Sequence, residues 1–183
     1  MKNQLRISLL AAVVCLVAIL TAFNFKEEEK TTSFVSMTLP MWKTGKMHTL
    51  EVADAMPEEK YTYKPSEVSK TFAEQMVHIG YTLTYFSKAM IKGEQVKYEE
   101  PSAEGLSKAE VRAIVEKGYA DMEAAIKALK EDDLKVELPF GPDTKMTRAQ
   151  AIIFANDHCT NHRAKANLYI RMNNIEPPSY KFI

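Results

Sequence analysis

Three times in this chain a Ser or Thr is followed, three residues on, by Glu or Gln, and each time an apolar stripe at helical spacing begins. The three are Thr71-x-x-Glu74, Ser107-x-x-Glu110 and Thr147-x-x-Gln150. In such a capping box the hydroxyl takes one free backbone N–H of the first turn, and the Glu or Gln side chain takes another. Each box therefore marks where a helix starts. The second helix runs from Thr71 to about Gly93, with Phe72, Met76, Ile79, Leu83, Phe86 and Met90 on one face. The third runs from Ser107 to about Lys130 and turns Val111, Val115, Met122, Ile126 and Leu129 inward. The fourth runs from Thr147 to about Asn173, where Asn173-Asn174 and then Pro177-Pro178 supply stop signals.

An earlier helix is expected in "PMWKTGKMHTLEVADAMPEEK". Pro40 suits a first helical turn and Pro57 a stop, with Met47, Leu50 and either Ala53 or Asp54 setting the period. A start nearer Thr32 would instead place Pro40 inside the helix as a kink. Glycine is scarce, at six residues, and no Asn-Gly or Asp-Gly hairpin signal occurs. Leu134, Val136 and Leu138 alternate with charged residues, which suits a short extended segment without requiring a strand. The expected class is all-α: four helices of about 15 to 27 residues in a four-helix bundle.

Residues 1–22 read as a secretory signal, 23–33 as a charged spacer and 34–183 as one domain. Lys2 and Arg6 precede an almost wholly apolar run from Ile7 to Leu20, and Thr21-Ala22 supplies small residues ahead of a cleavage point. The run is shorter than the roughly 20 apolar residues of a membrane span. Kept uncleaved, it would anchor the chain to a membrane. Lipidation at Cys15 is a weaker reading, because Val13 and Val14 stand where small residues are expected. Export would place the protein in the periplasm or cell envelope. Without Cys15, Cys159 is the only cysteine, so no internal disulfide forms. The core alone must then hold about 160 residues together, a size that suffices. Twenty-four basic residues balance 24 acidic ones, with no Lys/Arg run, which argues against a nucleic-acid partner. Oligomeric state is not fixed by these features; a homodimer stays open.

His158 and His162 lie one turn apart in the fourth helix, where side chains i and i+4 stack on one face. Ala151, Ala155, Cys159, Ala166 and Tyr169 form the inward stripe, with His162 inside it and His158 at its edge. Such a pair can supply two metal ligands, as in zinc metallopeptidases, but Cys159 rather than Glu follows His158, so the usual general base is missing. Two ordinary hydrogen-bonded side chains are the competing reading. A third ligand would decide, and His78 is the candidate. It sits off the main stripe of the second helix, on a flank with Gln75, Thr82, Tyr85 and Ala89. That flank faces either solvent or a cleft between helices. Glu74, one turn away, either completes its capping box or accepts an imidazole N–H. Thr82, Tyr85 and Tyr169 are candidate pocket residues, Tyr169 fitting the core better. His48 reads as a surface residue, and Cys159 as a small buried core residue.

Two stretches together resemble the DinB-like (DinB/YfiT-like) family over about Phe34 to Tyr180. One is "TLEVADAMPEEKYTYKPSEVSKTFAEQMVHIG", with an acidic turn, a Tyr/Lys-Pro turn, a capped helix and a histidine. The other is "MTRAQAIIFANDHCTNHRAKANLYIRMNNIEPPSY", with His158, His162 and Arg163, then Arg171 and Pro177-Pro178. The resemblance implies a four-helix bundle of unusual connectivity and a divalent metal bound by His78, His158 and His162. Zinc is the first choice of cation, while nickel, iron and copper also suit imidazole. Known members include thiol-dependent S-transferases and isomerases; export argues against that route, because such thiols are mainly cytosolic. The resemblance thus implies a metal-dependent hydrolase or transferase acting on an unknown small molecule, or else a non-catalytic metal- or ligand-binding envelope module. Many members continue Arg-Gly-Gln after the last histidine. Here Arg163-Ala164-Lys165 stands instead, placing Lys165 beside the histidine face.

Overall fold

The computed structural model describes residues 33–182; the signal reading of 1–22 lies outside them, as does the spacer reading of 23–33 except for Ser33, which caps the first helix. Four helices dominate the described residues: α1 (Phe34–Ala55), α2 (Phe72–Phe86), α3 (Lys108–Lys127) and α4 (Arg148–Met172). All three capping boxes form with both reciprocal bonds. At the start of α2, Glu74 N donates to Thr71 Oγ1 at 3.1 Å and Thr71 N to Glu74 Oε2 at 2.6 Å. The cap therefore claims the Glu74 carboxylate, leaving another residue to serve His78.

The first helix begins earlier than Pro40. Ser33 caps it, accepting from Ser36 N at 3.1 Å, and Pro40 lies inside. The pyrrolidine ring withdraws the N–H that would have bonded the Ser36 carbonyl. Ser36 is exposed, so water can take that carbonyl. Of the positions expected to set its period, Leu50 and Ala53 are buried and Met47 is not. Met47 is 48% exposed, while Thr38, Trp42, Thr49, Val52 and Ala53 are buried. Two of these inward positions are threonines whose hydroxyls return to the helix's own carbonyls, Thr38 to Phe34 at 3.0 Å and Thr49 to Gly45 at 2.8 Å. A hydrophobic pattern alone does not reveal such a face.

The second helix continues past Phe86 as a π-helical turn, Ser87–Lys92, and stops at Gly93 in the left-handed region (φ 77°), as the sequence leads one to expect. After α3 comes a 3-10 turn, Glu131–Lys135. Two short antiparallel strands follow, β1 (Glu137–Pro139) and β2 (Lys145–Thr147), with Leu138 opposite Met146. Leu134 is buried and Val136 is 40% exposed, so this segment closes the end of the bundle and does not form a wall of it. Leu129 lies beyond the end of α3 and is only partly buried.

Around the bundle each helix packs on two neighbours: α3 on α1 and α2, and α4 on α1 and α2. Consecutive pairs α1/α2 and α3/α4 thus sit diagonally, each joined by a long connection, while α2 and α3 are adjacent. The α2–α3 contact is unusually close. A Cβ built on Gly80 would lie 2.8 Å from Val115 Cα, and one on Gly118 would lie 2.8 Å from Gly80 Cα. Both glycines are needed for backbone to meet backbone. Phe72, Met76, Ile79, Leu83, Val111, Val115, Met122 and Ile126 are wholly buried here, and α4 adds Ala151, Ala155 and Cys159. The small residues of α4 let it approach α2 along the flank that carries His78.

Candidate metal centre

That flank faces α4. His78 meets His158 and His162 with ring centroids 5.0 and 4.3 Å away, and the last two are 4.6 Å apart. One ring nitrogen from each histidine can be chosen so that all three lie within 4.8 Å of one another. Nε2 of His78 and Nε2 of His158 are separated by 3.0 Å. Two imidazole nitrogens sharing a tetrahedral zinc-sized cation would be about 3.3 Å apart. The three residues could therefore hold a metal ion with little movement. The helical neighbours His158 and His162 supply one side, and a residue 80 positions before His158 supplies the other.

Two of the rings are oriented from behind. His162 Nδ1 lies 2.6 Å from Gln75 Oε1, and Gln75 Nε2 donates to the Tyr169 hydroxyl at 3.1 Å. His78 Nδ1 lies 2.8 Å from Glu100 Oε2, which also accepts from the Tyr98 hydroxyl at 2.7 Å. Burial favours a neutral Glu100, but the Tyr98 and His78 bonds and the nearby Lys70 outweigh it and hold the carboxyl below its ordinary range. An ionised carboxylate only accepts, so His78 carries its proton on Nδ1 and turns a lone pair on Nε2 toward the other histidines. Gln75 does the same for His162. This carboxylate- or amide-backed imidazole is the arrangement that fixes metal-binding tautomers.

Electrostatics keep the cluster ready for a cation. Burial, followed by the adjoining His78 and His158, pushes His162 down to about 3. His158 is also lowered, by burial first and then by His78 and Lys165, against the opposing pull of Asp157 and Glu100. Lys165 thus acts on both histidines, as its place in the sequence leads one to expect. Phe154, 37% exposed, stacks on His158 at 6.0 Å and forms the apolar outer side of the cluster.

One expectation is overturned here. His48 is not a surface residue: it is 4% exposed, covered edge-on by Tyr180 of the C-terminal tail, and stands apart from the cluster. The tail comes back across α1, a long-range contact that helical periodicity cannot report. Cys159 is buried as expected, and burial raises its thiol to about 12. Tyr169 is a core residue but also ends the hydrogen-bond chain to His162. Tyr85 packs against Tyr98 at 5.1 Å beside the cluster. Sequence reasoning misses Tyr98 and Glu100 altogether, because they sit in an irregular connection between α2 and α3. The one available signal was an acidic pair, Glu99-Glu100, beside an aromatic residue and ahead of Pro101.

Comparison with known proteins agrees with this architecture. The sequence profile of the DinB superfamily matches residues 41–166. The protein YjoA of Bacillus subtilis (strain 168) is 26% identical over 137 residues, which cover 73% of this chain and 87% of YjoA. The crystal structure of that DinB-like protein superposes with a TM-score of 0.64 at 21% identity, covering 79% of this chain and 97% of the other. A DinB-like protein from Bacillus cereus gives a TM-score of 0.65 at 15% identity, covering 78% and 95%. At these identities the superpositions establish the fold.

Proposed function

Because the chain belongs to the DinB superfamily, we propose that it binds one divalent metal ion through His78, His158 and His162 and uses it in a hydrolase or transferase reaction. The observation that carries this reading is the convergence of three imidazoles whose ligand atoms lie within 4.8 Å of one another. Their donor set suits zinc first, with nickel and iron as alternatives. Held by His78, His158 and His162, three neutral ligands, such a cation would retain its charge and would supply Lewis acidity and water activation.

The chain's own residues have defined parts. Gln75 and Glu100 fix the rings of His162 and His78. Tyr98, raised to about 12 by burial and then by its bond to Glu100, stays protonated and holds Glu100 in place. Lys165 lends positive charge to the rim, where it would favour an anionic substrate group. Residues 1–22 support export to the periplasm or envelope as part of the same proposal. A second reading, a non-catalytic metal- or ligand-binding envelope module, is favoured by one observation. Glu74 is committed to its cap and Glu100 to His78, so neither carboxylate is free to act as a general base.

The test is elemental analysis of chain purified without a His tag. One equivalent of metal in the wild type, lost in both His78→Ala and His162→Ala, is expected. Equal metal in all three would sink the assignment. A screen of metal-loaded protein for hydrolysis and thiol transfer then separates the two readings, with activity expected to vanish on chelation and return with metal.

A further inference from the structure

On the other side of α4 lies a second polar site. At about 100° per residue, Asn156, Thr160 and Arg163 sit roughly 140° to 200° around the helix from His158, facing α1 where the metal cluster faces α2. With His48 of α1 and with Tyr180 and Lys181 of the C-terminal tail they line a cavity of about 100 Å³. None of the residues lining this cavity is acidic.

Arg163 is the main feature. It is 8% exposed, yet its guanidinium meets only hydroxyls, donating from Nη1 to Thr49 Oγ1 and from Nη2 to Thr160 Oγ1, both at 3.2 Å. Among the described residues no carboxylate pairs with it. A buried cation without a counter-ion is costly unless something supplies the missing charge. His48 gives an independent sign: its Nε2 is buried and makes no hydrogen bond to the protein, although its side chain lines the cavity. Lys181 is matched by Glu51 at 3.0 Å, so it offers N–H donors at the rim and little net charge. The uncompensated charge is that of Arg163.

We propose that this cavity is a binding site for a small oxyanion, a phosphate or carboxylate group, held by Arg163 with His48, Thr160 and Lys181 as further donors. A planar guanidinium and a neutral imidazole N–H are complementary to such a group. The cavity admits only a compact one, with Tyr180 of the tail along one side. Gly45 leaves the floor open: a Cβ there would stand 3.6 Å from Tyr119 Cε1 and 3.8 Å from Arg163 Nη1, in ordinary contact. Gly45→Ala would therefore intrude on the site without disturbing the fold.

Isothermal titration of the chelated chain with inorganic phosphate, and separately with acetate, tests this and tells the two oxyanion classes apart. Saturable binding of at least one is expected, weakened about tenfold or more in His48→Leu, as for loss of a hydrogen bond to a charged group. Gly45→Ala should weaken it likewise, and it remains decisive if His48→Leu fails to fold. His158→Ala should leave it unchanged, which keeps this site's fate separate from that of the metal centre. No saturable binding of either anion overturns the proposal. So does binding that survives in Gly45→Ala but is lost in His158→Ala.

Discussion

Gln75 and Glu100 each hold the Nδ1 of one histidine, so their removal should loosen a metal site without touching a ligand. Gln75→Leu takes away the acceptor for His162 and strands the Tyr169 hydroxyl. Metal affinity should fall about 10- to 100-fold, measured by competition with a chromophoric chelator. Glu100→Gln keeps an acceptor but loses the charge, so its drop should be smaller; unchanged affinity in both would show that the rings are held by other contacts. Protonation gives a second prediction. His162 titrates at about 3 in the folded chain and near 6.5 when unfolded. Between those values the unfolded chain takes up a proton that the folded chain refuses, so stability falls as pH drops from about 6.5 toward 3. His158 shifts the same way. Urea denaturation of metal-free protein should show a lower midpoint at pH 5 than at pH 7, and His162→Gln should reduce that difference. The pair His158 and His162 was legible because the two share a helical turn, but helical phase left His78 on a flank facing either solvent or a cleft, and only the resemblance to the DinB-like family joined it to the pair. Glu100 was not legible, because no periodicity constrains the connection that carries it back to His78.

At the scale of elements, the capping boxes made three helix starts legible to the residue, since each depends on local hydrogen bonds alone. The inward face of α1 was legible at Leu50 and Ala53 but not along its length, because threonines satisfied by their own helix take positions where an apolar residue would signal burial. Nor did the sequence disclose the backbone contact of α2 with α3, for a helical glycine looks like a weak point until its neighbour is known. That contact predicts an inversion of the usual propensity rule. Alanine in place of glycine normally favours a helix by about 1 kcal/mol. At Gly80 the added Cβ would press on the Ile114–Val115 backbone, and overpacking of this kind costs about 1–3 kcal/mol or more. Gly80→Ala and Gly118→Ala should both be destabilised in urea melts, whereas Gly45→Ala, whose Cβ meets only ordinary contacts, should be as stable as wild type or more so. A stabilised Gly80→Ala would mean that α2 and α3 are farther apart than their glycines suggest.

For the molecule as a whole, the ring of helices decides what a bound metal does. Its ligands come from α2 and α4, which are neighbours in the bundle but separated in sequence by α3 and two connections. In the unfolded chain His78 is far along the sequence from the other two, and the site cannot persist. A cation that binds only the folded state stabilises it by mass action, by about 2.7 kcal/mol when free metal stands at 100 times its dissociation constant. In a chain of this length each kcal/mol moves the melting temperature by about 2–4 °C. Metal should thus raise Tm by about 5 to 11 °C over the chelated protein. The shift should scale with the logarithm of free metal and be absent in His158→Ala. On the Arg163 side of α4, His48→Leu removes a buried nitrogen that has no hydrogen-bond partner, so it should melt no lower than wild type and shift with metal as fully. A chelated protein that melts with the metal-loaded one would mean that the three histidines hold no ion in solution.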